Sequence, residues 1–270
     1  MKNFKKVVLA LVTSSLLVAC SGKDQKDNVS SNQNDLSNNS NKSVASEIVD
    51  DGVLDLGTSA DFPPYEFFDD NNKIVGIDAE IAQEIGKKLG VEVKIKDMDF
   101  SSIIASIESG KLDGGIAGIT ETEDRKKNVN FSKTYGKSVQ KVIVKKDSPF
   151  KNPEDLKGKK IASQLGSTGE VAAKDTYGED SIQSFSKTMD SIVALNNDKV
   201  DAVVLDDQAA EKFVEANEGL KVLDKELAKD EYAIALDKKN EKLLEEVNKA
   251  IDELEKDGTL DKIFEKYLDK

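Results

Sequence analysis

The segment from Gly114 to Arg125 contains the residue types best suited to binding a small anion. Residues 116–119 form a short apolar run among glycines, which is typical of a strand covered on both faces. Glycines let another group approach the backbone closely, and Arg125 offers a rigid fork of N–H donors that matches a carboxylate. Free backbone N–H groups, the Thr120 hydroxyl and Arg125 would together form a receptor for a small organic anion. A glycine-rich edge strand followed by an unrelated surface arginine would give the same pattern.

A second candidate binding residue, Asp206, follows the apolar run 202–205. A free α-amino acid is a zwitterion, so its receptor needs an acceptor for the ammonium group as well as donors for the carboxylate. Asp206 could supply that acceptor, although an aspartate at a strand end also commonly caps the next helix, and Asp207 is a rival one residue away. In open α/β sheets, ligands bind beyond the carboxyl ends of the strands. Thr120 and Asp206 each follow such an end, so a cleft between two sheets would bring them face to face.

Strand-like and helix-like patterns alternate along the chain and predict the elements that would position these residues. In the first half we expect strands at 53–59, 91–98 and through Gly118, and helices at 77–90 and 101–109. Asp78 can cap the first of these helices and Gly90 can end it. In the second half we expect strands at 139–144, 160–164, 181–185, 202–205 and 231–236, and the last helices within 241–268.

This alternation of strands and helices indicates parallel βαβ units and therefore an α/β fold. Residues 102–105 and 111–114 are echoed at 191–194 and 199–202, each time ahead of a predicted strand. The echo favours two lobes that are built alike.

Four segments carry a resemblance to a known family. Residues 57–67, 97–100, the Arg125 segment and 200–206 occur in this order and closely resemble the polar amino-acid-binding proteins of bacterial ABC importers. The resemblance covers nearly all of 53–270. It implies a two-lobe periplasmic-binding-protein-like fold of type II with a ligand cleft between the lobes. Lobe 1 would comprise 51–138 and 232–270, lobe 2 would comprise 139–231, and the strands at 139–144 and 231–236 would cross between them.

The resemblance also assigns roles to the residues of the cleft. Arg125, helped by Thr120, falls on the position that binds the ligand carboxylate, and Asp206 falls on the ammonium-binding aspartate. Phe62 corresponds to a ring that covers the ligand side chain, and Phe100 corresponds to a second apolar wall. The remaining matches are backbone groups at Ala117 and Gly118, side-chain contacts at Ser59, Gln164 and Leu205, and a loop at a helix N-terminus that includes Ser167 and Thr168.

The type of ligand side chain is only partly indicated by these positions. Arg125 is the one Lys or Arg that falls on a contact position, which argues against aspartate or glutamate as ligand. Many relatives that take basic or amide side chains have Asp where this chain has Ser59. Glu121 could add a negative end to the pocket. We therefore expect a free L-amino acid with a neutral polar or cationic side chain.

The first residues of the chain predict its destination. Residues 1–19 have a lysine-rich start followed by 13 mostly apolar residues, which is typical of a signal peptide. Their end, Leu17-Val18-Ala19-Cys20-Ser21, is similar to the bacterial lipobox, in which the cysteine is lipidated. Residues 20–50 are then expected to form the lipidated Cys20 and a disordered tether that is rich in Ser and Asn. The expected location is extracytoplasmic, with the lipid at Cys20 anchoring the chain to the outer face of the cell membrane.

Composition excludes several functions. The net charge of −13 argues against nucleic acid as a partner, because phosphate binding needs a basic patch. With no His and a single Cys, the chain offers no His-based triad and no zinc site of the usual ligands. We expect no metal, no cofactor and no enzyme activity, and the permease subunits of an ABC importer as partners. A ligand-sensing lipoprotein module and a dehydratase-like enzyme on the same fold are the alternatives.

Overall fold

The computed structural model describes residues 48–49 and 51–268. The predicted signal peptide, Cys20 and nearly all of the predicted tether lie outside the described residues. The strands are β1 (Val53–Thr58), β2 (Asp61–Phe62), β3 (Glu66–Phe68), β4 (Ile74–Val75), β5 (Glu92–Asp97), β6 (Gly114–Gly115), β7 (Val129–Phe131), β8 (Gly136–Lys145), β9 (Ile161–Gln164), β10 (Ile182–Phe185), β11 (Ala202–Asp206), β12 (Leu220–Val222), β13 (Ala228–Tyr232) and β14 (Ala235–Asp237). The helices are α1 (Ile77–Leu89), α2 (Ile103–Glu108), α3 (Thr168–Tyr177), α4 (Thr188–Asn196), α5 (Asp207–Glu215), α6 (Glu241–Lys256) and α7 (Thr259–Leu268).

Two larger sheets define two lobes. The sheet of lobe 1 has the strand order β5-β1-β6-β14-β7, with β1 parallel to β5 and β6. The sheet of lobe 2 has the order β10-β9-β11-β8-β12, and β13 pairs with β8. In lobe 2, β9 is parallel to both β10 and β11, as βαβ units require. A small antiparallel sheet, β2-β3-β4, is attached to lobe 1.

The chain passes between the two sheets at 132–135 and at 233–234. Strand β7 belongs to lobe 1 and β8 to lobe 2, while β13 belongs to lobe 2 and β14 to lobe 1. The prediction of one strand at 231–236 is therefore wrong, because this apolar stretch is two short strands in different sheets. Every residue from Tyr232 to Leu236 is buried, so the hydrophobic pattern carries no sign of the change of sheet. The expectation that the strand at 139–144 crosses between the lobes is also wrong, because β8 pairs only with strands of lobe 2 and the crossing precedes it.

Helix α1 forms much of the core of lobe 1. Ile77, Ile81, Ile85 and Leu89 lie on one face and are buried, and Gly90 ends the helix with a left-handed conformation at φ 72°. The expectation that Asp78 caps this helix is wrong. The residue at the cap position is Gly76, with no side-chain cap bond, and Asp78 is fully buried and bonded elsewhere. Helices α6 and α7 pack on the same helix, and their break at Gly258 is as predicted.

The strand that was expected to run through Gly118 is much shorter. Pairing with β1 and β14 ends at Gly115, and residues 116–119 form a buried loop. Gly118 has φ +52°, which a regular strand cannot contain. The expected helix at 101–109 also begins differently, as a tight turn over Phe100–Ser102 followed by α2. Both differences lie at the end of lobe 1 that faces lobe 2.

Candidate functional site

A small cavity lies between the two lobes. Lobe 1 contributes Phe62, Phe100, Ala117 and Gly118, and lobe 2 contributes Gln140, Gln164, Ser167, Thr168, Gly169, Val204, Leu205 and Asp206. Nine of the predicted site residues therefore meet in one place. The other three, Ser59, Thr120 and Arg125, lie close to this cavity without lining it.

Asp206 is the ionisable group in the cavity wall. It ends β11 with 8% of its surface exposed, and its Oδ2 accepts a hydrogen bond of 2.5 Å from the Tyr232 hydroxyl. The alternative role as a helix cap is not adopted, since Asp206 makes no side-chain cap bond to α5. Its neighbour Asp207 accepts instead from the Ser138 hydroxyl and the Gln208 N–H. Burial raises the pKa of Asp206 to about 6. The hydrogen bond from Tyr232 lowers this pKa, and the charge of Asp230 raises it further.

The N-terminus of α3 lies in the wall of the same cavity. Ser167 precedes the helix, and its Oγ accepts from the Glu170 N–H at 3.0 Å and donates to the Gln164 carbonyl at 2.8 Å. Thr168 and Gly169 then line the cavity with the first turn of the helix. N–H groups of a first turn have no partner inside the helix, and the helix dipole favours negative charge there. This end of the cavity is therefore suited to an anion.

Arg125 bridges the two lobes beside the cavity. Its Nη1 donates to the Thr120 carbonyl at 2.6 Å, and its Nη2 donates to the Gly166 carbonyl at 2.9 Å. The guanidinium lies over the Phe100 ring, with Cζ 5.3 Å from the ring centroid. It lines an adjoining hollow on the other side of Phe100. Burial lowers the pKa of Arg125, and the charges of Asp230 and Asp206 oppose this effect. The Thr120 side chain has a buried hydroxyl without a hydrogen-bond partner among the described residues.

A row of packed aromatic rings leads from Phe62 in the cavity wall to Tyr232. Phe62 stacks on Tyr65 with ring centroids 5.7 Å apart, and Tyr65 meets Tyr232 edge-on at 5.0 Å. Pro63 and Pro64, joined by a cis peptide bond, make the turn between Phe62 and Tyr65. The Tyr232 hydroxyl in turn holds Asp206. The rings thus connect the apolar wall to the carboxylate.

The loop 116–119 supplies the backbone of the lobe 1 wall. The Gly118 N–H donates to Asp78 Oδ2 at 2.7 Å, so the backbone amide expected to meet a ligand there is already in use. A Cβ on Gly118 would lie 3.2 Å from the Phe62 ring, and its positive φ also favours glycine. Asp78 additionally accepts from the Tyr135 hydroxyl at 2.8 Å. Asp78 therefore holds the loop 116–119 in place through a bond to its backbone.

Polar contacts join the lobes around the cavity. The Gln164 Nε2 donates to Ser59 Oγ at 3.3 Å, and Ser59 donates to Asp61 Oδ1 at 3.1 Å. Other contacts between the lobes include a hydrogen bond of 3.2 Å from the Met189 N–H to Asp61 Oδ2 and the ion pair between Lys187 and Asp97 at 3.2 Å. Ser59 is thus a buried link between the lobes behind the cavity wall.

Sequence reasoning did not find Gln140, whose side chain lies in the cavity wall. Gln140 is fully buried on β8, opposite Asp206 in the sheet register, and its Nε2 donates to Asp230 Oδ2 at 2.8 Å. Its Oε1 has no hydrogen-bond partner among the described residues. A polar residue within the apolar run of a central strand was the available signal, because such residues seldom lie in a sheet interior without a reason.

Comparison with known proteins identifies the family. Residues 54–270 match the model of the bacterial extracellular solute-binding proteins, family 3. The chain belongs to this family. Among curated relatives, the solute-binding protein is 35% identical over 220 residues to the arginine-binding extracellular protein ArtP of Bacillus subtilis (strain 168), covering 80% of the chain and 86% of the relative.

Solved structures agree with the family assignment. An ancestral arginine-binding protein bound to glutamine superposes with a TM-score of 0.77 at 44% identity, covering 81% of this chain and 99% of that one. The holo form of ArgBP from T. maritima gives a TM-score of 0.74 at 42% identity, covering 81% and 98%. The predictions of the family, of the two-lobe fold and of a binding protein rather than an enzyme are confirmed. The family name also places the protein outside the cytoplasm.

Within residues 48–49 and 51–268, no helix has the length and hydropathy needed to span a membrane. In the same part of the chain, the His, Cys, Asp and Glu side chains form no cluster that could hold a metal ion.

Proposed function

We propose that this solute-binding protein takes up a free L-amino acid between its lobes and delivers it to the permease subunits of an ABC importer. The observation that carries the proposal is that one cavity has a buried carboxylate, Asp206, and a helix N-terminus, that of α3, in its wall. An acceptor for an ammonium group and donors for a carboxylate thus lie within the reach of one zwitterion. The names of several relatives, which describe arginine- and glutamine-binding proteins, support the same class of ligand.

In this proposal Asp206 receives the α-ammonium group. Its Oδ2 is already oriented by Tyr232, so the carboxylate loses little freedom when it accepts a second donor. Its raised pKa reflects a buried charge that lacks a cationic partner in the cavity wall. An ammonium group would provide that partner and would lower the pKa again.

The ligand carboxylate is proposed to bind at the first turn of α3. Thr168 and Gly169 offer N–H groups there, and Ser167 fixes the start of the helix through its bonds to Gln164 and Glu170. Arg125 adds positive charge beside this end through its bond to the Gly166 carbonyl. Its role in binding the ligand carboxylate stays a proposal, because Arg125 lines an adjoining hollow and not the cavity itself.

The side-chain end of the cavity favours a neutral polar or cationic amino acid. Phe62 and Phe100 supply apolar walls, and the amides of Gln140 and Gln164 supply polar ones. Of the described residues that line the cavity, none is Lys or Arg. Binding a second carboxylate beside Asp206 would bring like charges together in a buried site, which disfavours aspartate and glutamate.

Anchoring through a lipid on Cys20 is a further part of the proposal. It is supported by the lipobox-like sequence 17–21 and by the Ser- and Asn-rich segment that follows. That segment would separate the binding fold from the membrane surface.

A thermal-shift screen of the purified protein against each of the common amino acids tests the ligand class. Binding to the folded state stabilises it by about 2.7 kcal/mol at roughly a hundredfold excess of ligand over Kd. At least one neutral polar or cationic amino acid should raise the melting temperature by several degrees, and the Asp206→Asn variant should lose that response. The proposal would be refuted if no amino acid raised the melting temperature, or if only aspartate and glutamate did.

A further inference from the structure

Behind the lobe 1 wall, two carboxyl groups are buried near each other. Glu66, at the start of β3, has 1% of its surface exposed, and Asp78, in the first turn of α1, has none. The Asp78 N–H donates to the carbonyl of Tyr65, the chain neighbour of Glu66, at 2.9 Å, and each of the two side chains shifts the pKa of the other. Ionised carboxylates can only accept hydrogen bonds, so a direct bond between the two groups requires that one of them carries a proton.

The hydrogen-bond pattern identifies which group holds the proton. Asp78 Oδ2 accepts from the Gly118 N–H at 2.7 Å and from the Tyr135 hydroxyl at 2.8 Å, as an ionised carboxylate does. Neither oxygen of Glu66 finds a donor among the described residues, and Asp78 Oδ1 lacks one as well. A proton on Glu66 supplies the donor that Asp78 Oδ1 lacks. Two of the three unsatisfied buried oxygens are then paired with each other.

The charges around Glu66 act in the same direction. Burial raises its pKa well above the usual range, and the charges of Asp78 on α1, Asp61 on β2 and Asp206 on β11 raise it further. Tyr65 and Tyr135, which pack against the pair, are held neutral by burial and by the same carboxylates. A negative Glu66 would face three negative groups and no positive one among the groups that shift its pKa.

We propose that Glu66 is a positioning residue that keeps its proton at neutral pH and donates it to Asp78, so that Asp78 holds the loop 116–119 in the form that lines the ligand cavity. The consequence for binding rests on the proposed function, since it takes this loop as part of the ligand site. Asp78 joins the Gly118 backbone to Tyr135, which lies where the chain crosses between the lobes. The shared proton therefore stabilises both the loop 116–119 in the cavity wall and the segment at Tyr135 that crosses between the lobes.

The proton itself is observable without any ligand. Carbon NMR of the purified protein with labelled Glu carboxyl groups, at about pH 7, should show one Glu carboxyl still in its protonated form. That signal should disappear in Glu66→Gln and remain in Glu80→Gln, a matched change at a partly exposed residue of α1 that pairs with Lys266 and Tyr267. If every Glu carboxyl is ionised at this pH, the proposal is wrong.

The positioning role is tested on the Gly118 amide in the same unliganded protein. Glu66→Gln keeps a donor toward Asp78, whereas Glu66→Leu fills the space without one. Hydrogen exchange at Gly118 should be about tenfold faster in Glu66→Leu, as expected when a bond to a charged acceptor is weakened, and near wild type in Glu66→Gln. Equal exchange in both variants would mean that Glu66 acts only by packing.

Titration of the variants with L-arginine and with L-glutamine then links the loop to binding. Glu66→Leu should bind at least one of these probes about tenfold more weakly than Glu66→Gln does. If neither probe binds the wild type, the proposed ligand class is in question, while the carboxyl signal and the Gly118 exchange still decide the present proposal. If a probe binds Glu66→Leu and Glu66→Gln equally, the loop is not positioned through this proton.

Discussion

Replacing Asp206 by Asn should weaken ligand binding and, at the same time, stabilise the protein without ligand. The change removes the charge but keeps the size of the side chain and an oxygen that can accept from Tyr232. Asp207→Asn is the matched control, because that neighbour bonds to Ser138 and Gln208 and does not line the cavity. The two variants therefore differ only in which adjacent carboxylate is neutralised.

The size of the stability effect follows from the pKa of Asp206. Burial raises it from 3.8 to about 6. A raised pKa means that the contribution of this group to stability is full below pH 3.8 and is lost as the pH rises through about 6. A shift of roughly two pKa units corresponds to about 3 kcal/mol. Asn cannot ionise, so the free energy of unfolding of the unliganded variant should exceed that of the wild type by up to about 3 kcal/mol at neutral pH, and the difference should vanish near pH 4.

Binding should change in the opposite direction. Truncating one member of a buried charge pair costs about 2–5 kcal/mol, which is roughly 30-fold to several-thousand-fold in Kd. Calorimetric titration with the amino acid that gives the strongest thermal shift measures this loss, and denaturant unfolding without ligand measures the stability. Near-wild-type affinity in Asp206→Asn, or an equal loss in Asp207→Asn, would refute the assignment of Asp206 to the ammonium group.

Two further predictions concern the anion end of the site and the anchor. Arg125→Lys keeps the charge but loses the guanidinium fork that joins the Thr120 and Gly166 carbonyls and the stacking of that group on Phe100. Calorimetry should therefore show ligand binding about 10- to 100-fold weaker than in the wild type. Lys126→Arg is the control, and an affinity of Arg125→Lys within threefold of wild type would contradict this role. Cys20→Ala should leave a folded, ligand-competent protein that fractionates away from the membrane; if it stays with the membrane fraction, the cysteine is not the anchor.

Much of the fold could be predicted from local sequence patterns. Helix α1 combines a regular apolar face with a terminal glycine, and both signals act within a few residues of each other. The strands β9, β10 and β11 lie within a residue of their predicted positions. Such features depend on periodicity alone, which a single sequence contains.

The errors occur where long-range partners decide the structure. Asp78 looks like a helix cap in sequence, but its carboxylate is bonded to Gly118 and Tyr135, which lie 40 and 57 residues further along the chain. The run 116–119 looks like a strand, but its backbone turns at Gly118 to meet that carboxylate. Gln140 could not be assigned to the cavity, because its place depends on the antiparallel pairing of β8 with β11. Local patterns do not specify any of these partners.

The polar contacts that join the lobes at Gln164, Met189 and Lys187 have a consequence for how affinity can be tuned. A protein that alternates between open and closed forms binds with an apparent Kd equal to its intrinsic Kd divided by the fraction that is competent to bind. In a protein of that kind, contacts such as Lys187 with Asp97 would change that fraction without touching a ligand. Two relatives with identical cavity walls can therefore differ in ligand affinity. Substitutions at these contacts between the lobes can change the affinity while the selectivity among amino acids stays the same. The side chains of this ion pair are about one-third exposed, so salt should weaken the contribution of the pair to the stability of the closed form.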